Sequence, residues 1–425
     1  RFGAAEAAYD SILARDPGDP EARLGRARIL AISDRLEAAA AEYRAIVEDE
    51  PDNLEARQGL ARTLTWDGEL VQGEEAWEEA LEVESRSVPS LVGLAQNLRW
   101  QGRNAAALAV LERARARAPR DQEIREEMRW VEAALNPRVE TSLVVEDDSD
   151  ENRMITTTLM ARWHPSPRLG LRMDAYRRDA EQRVLDHVAQ GLTFSVSYEL
   201  EPGWGLIGGA GGSESDSERD DAFASWHLSV TSPWRYRVGG SAFVRSSALD
   251  ATAALVRTGV RMTEFGLSGR WAPAPEWRVD ATVGGASLEG VEDNGRVNGT
   301  VGVSRDLGRA WRVGLAGRAF SYDEDLSEGY FDPDFYGIVE APARWLWQPG
   351  PWSVLVEAAP GFQQVTSGGE VRGAVRTSAR LAYRIAPGRE VSASGGLSST
   401  GVQSFSTGAS DYRYGAFILS LTWVF

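Results

Sequence analysis

The stretch YGAFILSLTWVF, residues 414–425, decides how the second part of the chain folds. From Phe417 onward every second residue is large and apolar, and the positions between them include Ser420 and Thr422. Because side chains alternate across an extended backbone with a period of two residues, this pattern predicts a strand with one apolar face. That face lies either in a protein core or against lipid.

The composition limits the classes of protein that fit the chain. Its 425 residues are enough for two or three domains. No apolar run approaches the roughly 18 to 20 residues that a membrane helix needs, so crossing a bilayer would require a closed barrel. Cysteine is absent, which excludes disulfides and thiolate metal sites. The net charge of -17 argues against a nucleic-acid partner.

The first part of the chain repeats itself. Residues 22–30, 56–64 and 90–98 share one pattern of small and apolar side chains, and each segment begins 34 residues after the last. The same step connects Tyr9, Tyr43, Trp77 and Leu111. Small residues such as Gly59 would let paired helices approach closely. The turns between the helices would hold Asp34, Gly68 and Gly102. This period and pattern resemble the tetratricopeptide repeat, a helix-turn-helix unit.

Residues 1–136 are therefore predicted to form an α-solenoid. Residues 1–20 match only the second helix of a unit, so we expect further repeats upstream, and Asp121–Leu135 would form a closing helix. Stacked repeats form a curved surface that usually holds a protein partner, although a plain spacer is the alternative. Trp66 and Trp100 occupy matching positions in successive repeats. They would either form a contact stripe or pack between repeats.

From Arg138 onward the apolar period changes from helical to alternating. We predict sixteen antiparallel strands over residues 137–425. Every second connection is short and mostly marked by proline or glycine, whereas the others are mostly longer and often acidic. The longer ones include 180–186, 214–221, 248–259, 323–334 and 400–410. This alternation is typical of an outer-membrane barrel with short periplasmic turns, and it would place the repeats in the periplasm.

The two faces of the predicted strands indicate a polar interior. On residues 370–386, apolar residues including Leu381 share one side, whereas Arg376 and Arg380 share the other. An arginine row is costly in hydrocarbon, so it must face a wet lumen. The residues predicted to line the lumen are Arg168, Arg172, Arg235, Arg237, Arg270, Arg278, Arg312, Arg318, Arg344, Arg372, Arg376, Arg380, Arg384 and Glu340. A net basic lumen would attract an anionic solute or polymer; alternatively, these charges pair across neighbouring strands and hold the wall rigid.

Tryptophan marks the ends of the predicted strands. Beside the short turns lie Trp163, Trp204, Trp234, Trp271, Trp277, Trp311, Trp347 and Trp352. Such an aromatic belt is typical of a membrane–water interface, and the terminal Phe425 resembles the insertion signal of outer-membrane barrels. A soluble β-sandwich would also alternate, but it does not need tryptophan at one end of nearly every hairpin. Sixteen strands would enclose an aqueous channel, so the predicted function is passage.

Repeats followed by a C-terminal barrel resemble the exopolysaccharide export porins, namely the cellulose synthase operon protein C family and the poly-N-acetylglucosamine porin. Residues 320–323 and 329–336, which read FSYD and GYFDPDFY, are similar to the Gly-Tyr-aromatic-x-Pro stretch of the cellulose-type barrel domain. The resemblance implies a periplasmic scaffold that meets synthase or polymer-modifying proteins. It also implies a pore that releases the glycan, as in biofilm formation.

Two loops on the longer side attract particular attention. Aromatic rings that would stack on sugars at the outer mouth are Tyr322, Tyr330, Phe331, Phe335 and Tyr336. The alternative is a loop that packs on itself. Residues 250–259 have a helical composition and would form a short helix in an outer loop or a plug in the lumen.

An enzyme and a plugged anchor are the competing classes. His164, His187 and His227 fall on different predicted strands, and no Gly-x-Ser-x-Gly, HExxH or Walker-type motif is present. We therefore predict no catalytic site, no metal and no cofactor. The prediction is an outer-membrane porin that exports an exopolysaccharide; the alternative is an anchor whose barrel is plugged and whose repeats recruit a periplasmic complex.

Overall fold

The computed structural model describes residues 2–200, 203–218, 222–234, 237–274, 276–308, 310–326, 329–366, 368–386, 388–400 and 412–425. The chain divides into a helical unit, Arg1–Leu135 with Pro233–Val238, and a barrel unit, Asn136–Ser232 with Gly239–Phe425. Among the described residues, no helix combines the length and the apolarity needed to cross a membrane.

Eight helices form the helical unit in its described part. They are α1 Phe2–Leu13, α2 Pro20–Ile32, α3 Leu36–Asp49, α4 Leu54–Trp66, α5 Leu70–Val83, α6 Val88–Trp100, α7 Asn104–Arg117 and α8 Gln122–Leu135. Helices α2, α4 and α6 begin at equivalent caps, because the side chains of Asp19, Asn53 and Ser87 accept hydrogen bonds from the backbone three residues on. The caps therefore repeat with the same step as the sequence pattern.

Glycine and aromatic residues hold successive helices together. A Cβ on Gly25 would overlap the Tyr9 ring, and one on Gly59 would overlap the Tyr43 ring. Gly93 stands in the same way against Trp77. The turns at Asp34, Gly68 and Gly102 adopt the left-handed region, with φ of 65°, 83° and 80°. The predicted tetratricopeptide architecture is confirmed.

The barrel unit contains a single sheet. Its strands are β1 Arg138–Asp148, β2 Asn152–Ser166, β3 Leu169–Gln182, β4 Leu185–Leu200, β5 Trp204–Ser215, β6 Ala222–Thr231, β7 Val238–Leu249, β8 Val260–Trp271, β9 Trp277–Glu289, β10 Asp293–Leu307, β11 Trp311–Tyr322, β12 Tyr336–Glu340, β13 Ala343–Trp347, β14 Trp352–Val365, β15 Val371–Ala386, β16 Arg389–Ser398 and β17 Tyr414–Val424. Apart from β12 and β13, each strand pairs with its neighbour in the sequence, and β1 pairs with both β2 and β17, which closes the barrel.

Strands β12 and β13 are two halves of one spanning strand. Both pair with β11 on one side and β14 on the other. The ladder is interrupted at Pro342, which has no backbone N–H to donate. Within the described residues the barrel therefore has sixteen spanning strands, and the predicted fold class is confirmed.

Large apolar side chains cover the outside of the barrel. On β17, Phe417, Leu419 and Leu421 are 47%, 42% and 39% exposed, and on β15 Leu381 is 46% exposed. Water would disfavour so many exposed apolar residues on one surface, whereas lipid accommodates them. Tryptophans that are exposed at the strand ends beside short turns include Trp163, Trp204, Trp271, Trp311, Trp347 and Trp352. The outer surface is therefore that of a membrane barrel.

One predicted long loop is wrong. The segment 180–186 is mostly strand, because β3 extends to Gln182 and β4 begins at Leu185, with Glu181 opposite Asp186. Acidic residues beyond the apolar band still form backbone ladders, so polarity alone did not mark the strand ends. The connection between β1 and β2, residues 149–151, is also short. Residues 401–410 of the predicted loop 400–410 lie outside the described residues.

Candidate functional site in the barrel interior

The connection between β7 and β8 contains a short helix, α9, Ala253–Thr258. Thr252 caps its start, because the threonine hydroxyl accepts a hydrogen bond from Leu255 N. Gly259 ends it in the left-handed conformation, with φ of 65°. The helical composition of residues 250–259 therefore predicted this element correctly.

Helix α9 packs against inward-facing residues on two sides of the barrel. Ala253 and Val256 form one buried cluster; its other members are Met154, Ala180 and Ala189 of β2, β3 and β4. Leu255 joins a second cluster; its other members are Leu249, Val260, Met262, Ala286, Leu288, Tyr322 and Tyr330. The helix therefore bridges strands that are not neighbours in the sheet.

A polar contact ties the start of the same loop to β3. Arg178 Nη1 donates to Asp250 Oδ1 at 2.6 Å and to the Asp250 carbonyl at 2.7 Å. Tyr176 donates its hydroxyl proton to Asp250 Oδ2 at 2.6 Å, and Arg178 Nε donates to Thr156 Oγ1 at 3.0 Å. Hydrogen bonds between charged groups are short and strong. They fix residue 250 against the inner wall.

The aromatic residues of the loop between β11 and β12 pack on one another. Phe320 stacks on Tyr336 with centroids 5.0 Å apart, and Phe331 meets both rings edge-on. Tyr330 lies 5.6 Å from Tyr322 and is 1% exposed. Such edge-to-face contacts bury rings efficiently.

The prediction that these rings offer a sugar platform is wrong for four of the five. Tyr322, Tyr330, Phe331 and Tyr336 are buried, and Phe335, which is half-buried, packs on Gly337. The alternative interpretation, a loop that packs on itself, describes the structure. Rings already covered by protein have no face left for a pyranose.

The two loops also contact each other. Gly329 has a φ of 95°, and a Cβ there would meet Ala254 of α9. Thr252 Oγ1 lies 3.4 Å from the Gly329 carbonyl. A third buried cluster continues the contact to β15; it comprises Phe331, Tyr336, Ile338 and Ala374. We call residues 250–259, 323–326 and 329–335 the plug, because together they carry apolar contacts across the interior at the end with the longer connections.

Most predicted lumen residues do lie on inward strand positions and are ion-paired. Glu340, which is 2% exposed, receives Arg318 at 2.7 Å and Arg376 at 3.4 Å. The other pairs are Arg172 with Asp174 (2.6 Å), Arg270 with Asp280 (2.9 Å), Arg278 with Asp306 (3.1 Å), Arg312 with Asp306 (2.7 Å), Arg372 with Glu370 (3.2 Å), Arg376 with Glu357 (2.7 Å) and Arg380 with Glu390 (2.7 Å). Arg344 and Arg384 form no ion pair within the described residues. Pairing across the wall therefore accounts for most, but not all, of these charges.

Three predicted lumen residues need correction or fall outside the description. Arg168 lies in the turn before β3 and is exposed. Arg237 precedes β7, belongs to the helical unit and forms ion pairs with Asp67 and Glu69. Both were predicted to line the lumen because the predicted strands began before the observed first residues of β3 and β7. Arg235 lies outside the described residues.

Further inward charges were absent from the predicted set. Arg138, Arg162 and Arg296 occupy inward positions of β1, β2 and β10. Arg296 and Arg245 share Glu264, the latter through Nε at 2.6 Å. The same alternation, extended to the full length of each strand, would have found these residues.

The helical unit presents an exposed apolar stripe. Trp66 and Trp100 are 42% and 43% exposed, and Ile32 occupies the equivalent position one repeat earlier. Two carboxyl groups of the helical unit have raised pKa values. Burial raises the pKa of Asp67, although Arg237 opposes the shift, and burial together with Glu74 raises the pKa of Glu78. The predicted role of the tryptophans in docking stays a prediction.

The geometry defines a class of protein. A closed antiparallel barrel with an apolar outside and a charged inside, preceded by helical repeats, is a repeat-bearing barrel of the outer membrane. Residues 249–416 match the family described as cellulose synthase operon protein C C-terminus. Residues 1–61 match the tetratricopeptide repeat. The resemblance inferred from the sequence is confirmed, and neither family description names an enzyme.

The chain is similar to several solved structures to different degrees. A bacterial polysaccharide outer membrane secretin superposes with a TM-score of 0.52 at 11% identity, over 68% of this chain and 98% of that one. CdiB from Acinetobacter baumannii gives 0.44 at 9% identity, over 68% and 60%. A thermophilic tetratricopeptide protein of Thermus thermophilus gives 0.29 at 24% identity, over 31% and 73%. No curated protein sequence matches the chain.

Proposed function

We propose that the chain exports a polysaccharide across the outer membrane, from the short-turn end of the barrel to the end that carries the plug. The observation that carries this proposal is the charged, ion-paired interior of a closed sixteen-strand barrel, a size that leaves room for an aqueous channel. A hydrated polymer requires such a wall. The match of residues 249–416 to a cellulose synthase operon family supports a glycan as the cargo.

In this proposal the plug is a gate. Its apolar contacts come from side chains of two loops, and one polar contact, between Arg178 and Asp250, anchors the first loop. Displacing α9 from β2, β3 and β4 would expose Met154, Ala180 and Ala189. Arrival of the polymer would supply the free energy of opening by replacing plug contacts with its own.

The repeats would lie in the periplasm and dock synthase or polymer-modifying proteins. The support for this part is the stripe of Ile32, Trp66 and Trp100, which stays exposed in every repeat that carries it. Exposed tryptophan is frequent among the residues that dominate binding energy at interfaces. The short-turn end would then face the periplasm, as in other outer-membrane barrels.

A second function is favoured by the plug itself. Apolar contacts run from β2 through α9 to β15, which supports a barrel that is obstructed at the long-loop end. If that closure is permanent, the barrel is a membrane anchor whose repeats recruit a periplasmic complex.

Deleting the chain from the bacterium separates the two functions. Export predicts that polymer accumulates in the periplasm and disappears from the surface. Complementation with full-length protein should restore surface polymer. A variant whose residues 251–258 are replaced by a short Gly-Ser linker should also restore it, because the channel remains. Unchanged surface polymer in the deletion strain would refute export and leave the anchor.

A further inference from the structure

Three arginines face one another on neighbouring strands near the short-turn end of the barrel. Arg138 of β1 is directly opposite Arg162 of β2, which is directly opposite Arg172 of β3. Like charges at directly opposite positions destabilise a sheet. A row of three therefore needs a compensating negative charge.

The protein supplies only part of that charge. Glu140 forms an ion pair with Arg138 at 3.0 Å, and Asp174 accepts two hydrogen bonds of 2.6 Å from Arg172. Arg162, in the middle, forms no ion pair with any described residue. Its buried Nε, like that of Arg138, has no hydrogen-bond acceptor in the described part of the chain. The half-buried guanidinium of Arg162, which no described carboxylate pairs with, thus remains for an external acceptor.

The same surplus occurs elsewhere at this end. Arg312 of β11 is directly opposite Arg344 of β13, and Asp306 already pairs with Arg312 and Arg278. Arg344 has no ion-pair partner among the described residues, and neither does Arg384. The carboxylate nearest in register to Arg384 is Glu390, which pairs with Arg380.

We infer that the row of Arg138, Arg162 and Arg172 is an anion-binding site for the acidic groups of a polymer in the lumen. A guanidinium binds carboxylate, phosphate or sulfate through parallel hydrogen bonds, and a partly water-excluded wall strengthens the attraction. Arg344 and Arg384 extend the positive surface around the ring. This inference rests on the proposed function for the polymer, and it narrows the cargo from any glycan to an acidic one.

The test uses the full chain in detergent micelles and isothermal titration calorimetry. The probes are a hexameric uronate, cellohexaose and inorganic phosphate. The uronate is expected to bind, more weakly at higher salt, while cellohexaose and phosphate bind at least about tenfold more weakly because they lack the repeated charges. Arg162→Gln should lower uronate affinity about tenfold. Arg153→Gln, at the other end of β2 and exposed, is the matched control and should change nothing.

Equal affinity for uronate and cellohexaose would overturn the inference, as would full affinity in Arg162→Gln. Phosphate that binds as tightly as the uronate would mean an adventitious ion only. The electrophoretic shift on heating verifies that each variant is folded. If Arg162→Gln does not fold, Arg344→Gln replaces it, with a smaller expected loss of uronate affinity. If uronate binds but deletion of the chain leaves surface polymer unchanged, export fails and the anion site stands. If surface polymer is lost in the deletion strain but uronate does not bind, export stands and the anion site fails.

Discussion

The two ends of the barrel interior differ in the side chains that they carry. At the long-loop end, the plug places buried apolar side chains such as Leu255 and Tyr330 across the lumen. At the short-turn end, the wall carries arginines, and some of them, including Arg162 and Arg344, have no ion pair among the described residues. The difference teaches that the strands alone would build a wet channel, and in the proposed function the loops decide whether that channel is open.

Removing the plug helix should have the largest effect. Replacing residues 251–258 with a short Gly-Ser linker removes Ala253, Leu255 and Val256 from both clusters. Conductance in planar bilayers should then rise by about an order of magnitude, towards that of an open barrel of this size. Val291→Ser, in the exposed turn between β9 and β10, is the control and should conduct like the unchanged protein. Equal conductance in all three proteins would show that the plug does not close the lumen.

Breaking the anchor of the plug should have a smaller effect. Arg178→Gln removes the ion pair to Asp250, which is worth about 1–3 kcal/mol for charged, partly buried hydrogen bonds. Brief channel openings should become more frequent in single-channel recordings. The neighbouring Arg177→Gln removes an exposed pair with Asp179 and should leave the recordings unchanged. Identical behaviour of the two variants would contradict an anchoring role for Arg178.

Paired and unpaired arginines of the barrel wall should differ in their contribution to stability. Arg376→Gln deprives Glu357 of its partner and leaves Glu340 with Arg318 alone, so unfolding in urea should become about 1–2 kcal/mol easier. Arg384→Gln should change stability by less than about 0.5 kcal/mol. A larger loss for Arg384→Gln than for Arg376→Gln would show that the unpaired arginines stabilise the wall.

The helical unit offers a small counterpart of the arginine row. Glu74, Glu78 and Glu82 follow one another at a spacing of four residues on α5, and burial with Glu74 raises the pKa of Glu78. Any stability that Glu78 contributes is fully present below its ordinary pKa and is lost as the pH rises through the raised value. Glu78→Gln should therefore stabilise the helices by a few tenths of a kcal/mol at neutral pH.

Thermal melts of the full chain, followed by the helical circular dichroism signal, measure this effect. The advantage of Glu78→Gln should vanish in acid, where the carboxyl of the unchanged protein is protonated. An advantage that persists or grows in acid would show that its cause is not charge.

The sequence predicted those parts of the fold that local periodicity determines. The spacing between Tyr9, Tyr43 and Trp77 predicted the repeats, and each ring does pack on the glycine of the next helix. Alternation along β15 fixed which arginines face inward. Both patterns depend on residues close together in the chain, so they are readable without coordinates.

The contacts of the plug were not predictable in the same way, although residues 250–259 were predicted to form a short helix in an outer loop or a plug. Its contacts join residues 253–256 to Ala180, Ala189 and Tyr330, which are far apart in the sequence. The sequence of a loop rich in aromatic residues is consistent with a sugar platform and with a packed cluster. Only the contacts between the rings in the structure distinguish the two. Ion pairing likewise depends on strand register, which composition does not specify.

The most direct test of the account is the alternation of solvent along β17. The chain has no cysteine, so single cysteines from residue 416 to 422 can each carry a spin label in reconstituted membranes. The account predicts that labels at Phe417, Leu419 and Leu421 collide preferentially with oxygen dissolved in lipid. Labels at Ala416, Ser420 and Thr422 should instead collide preferentially with a water-soluble nickel chelate. Uniform or inverted accessibility would contradict a barrel with a lipid-facing outside and a wet interior.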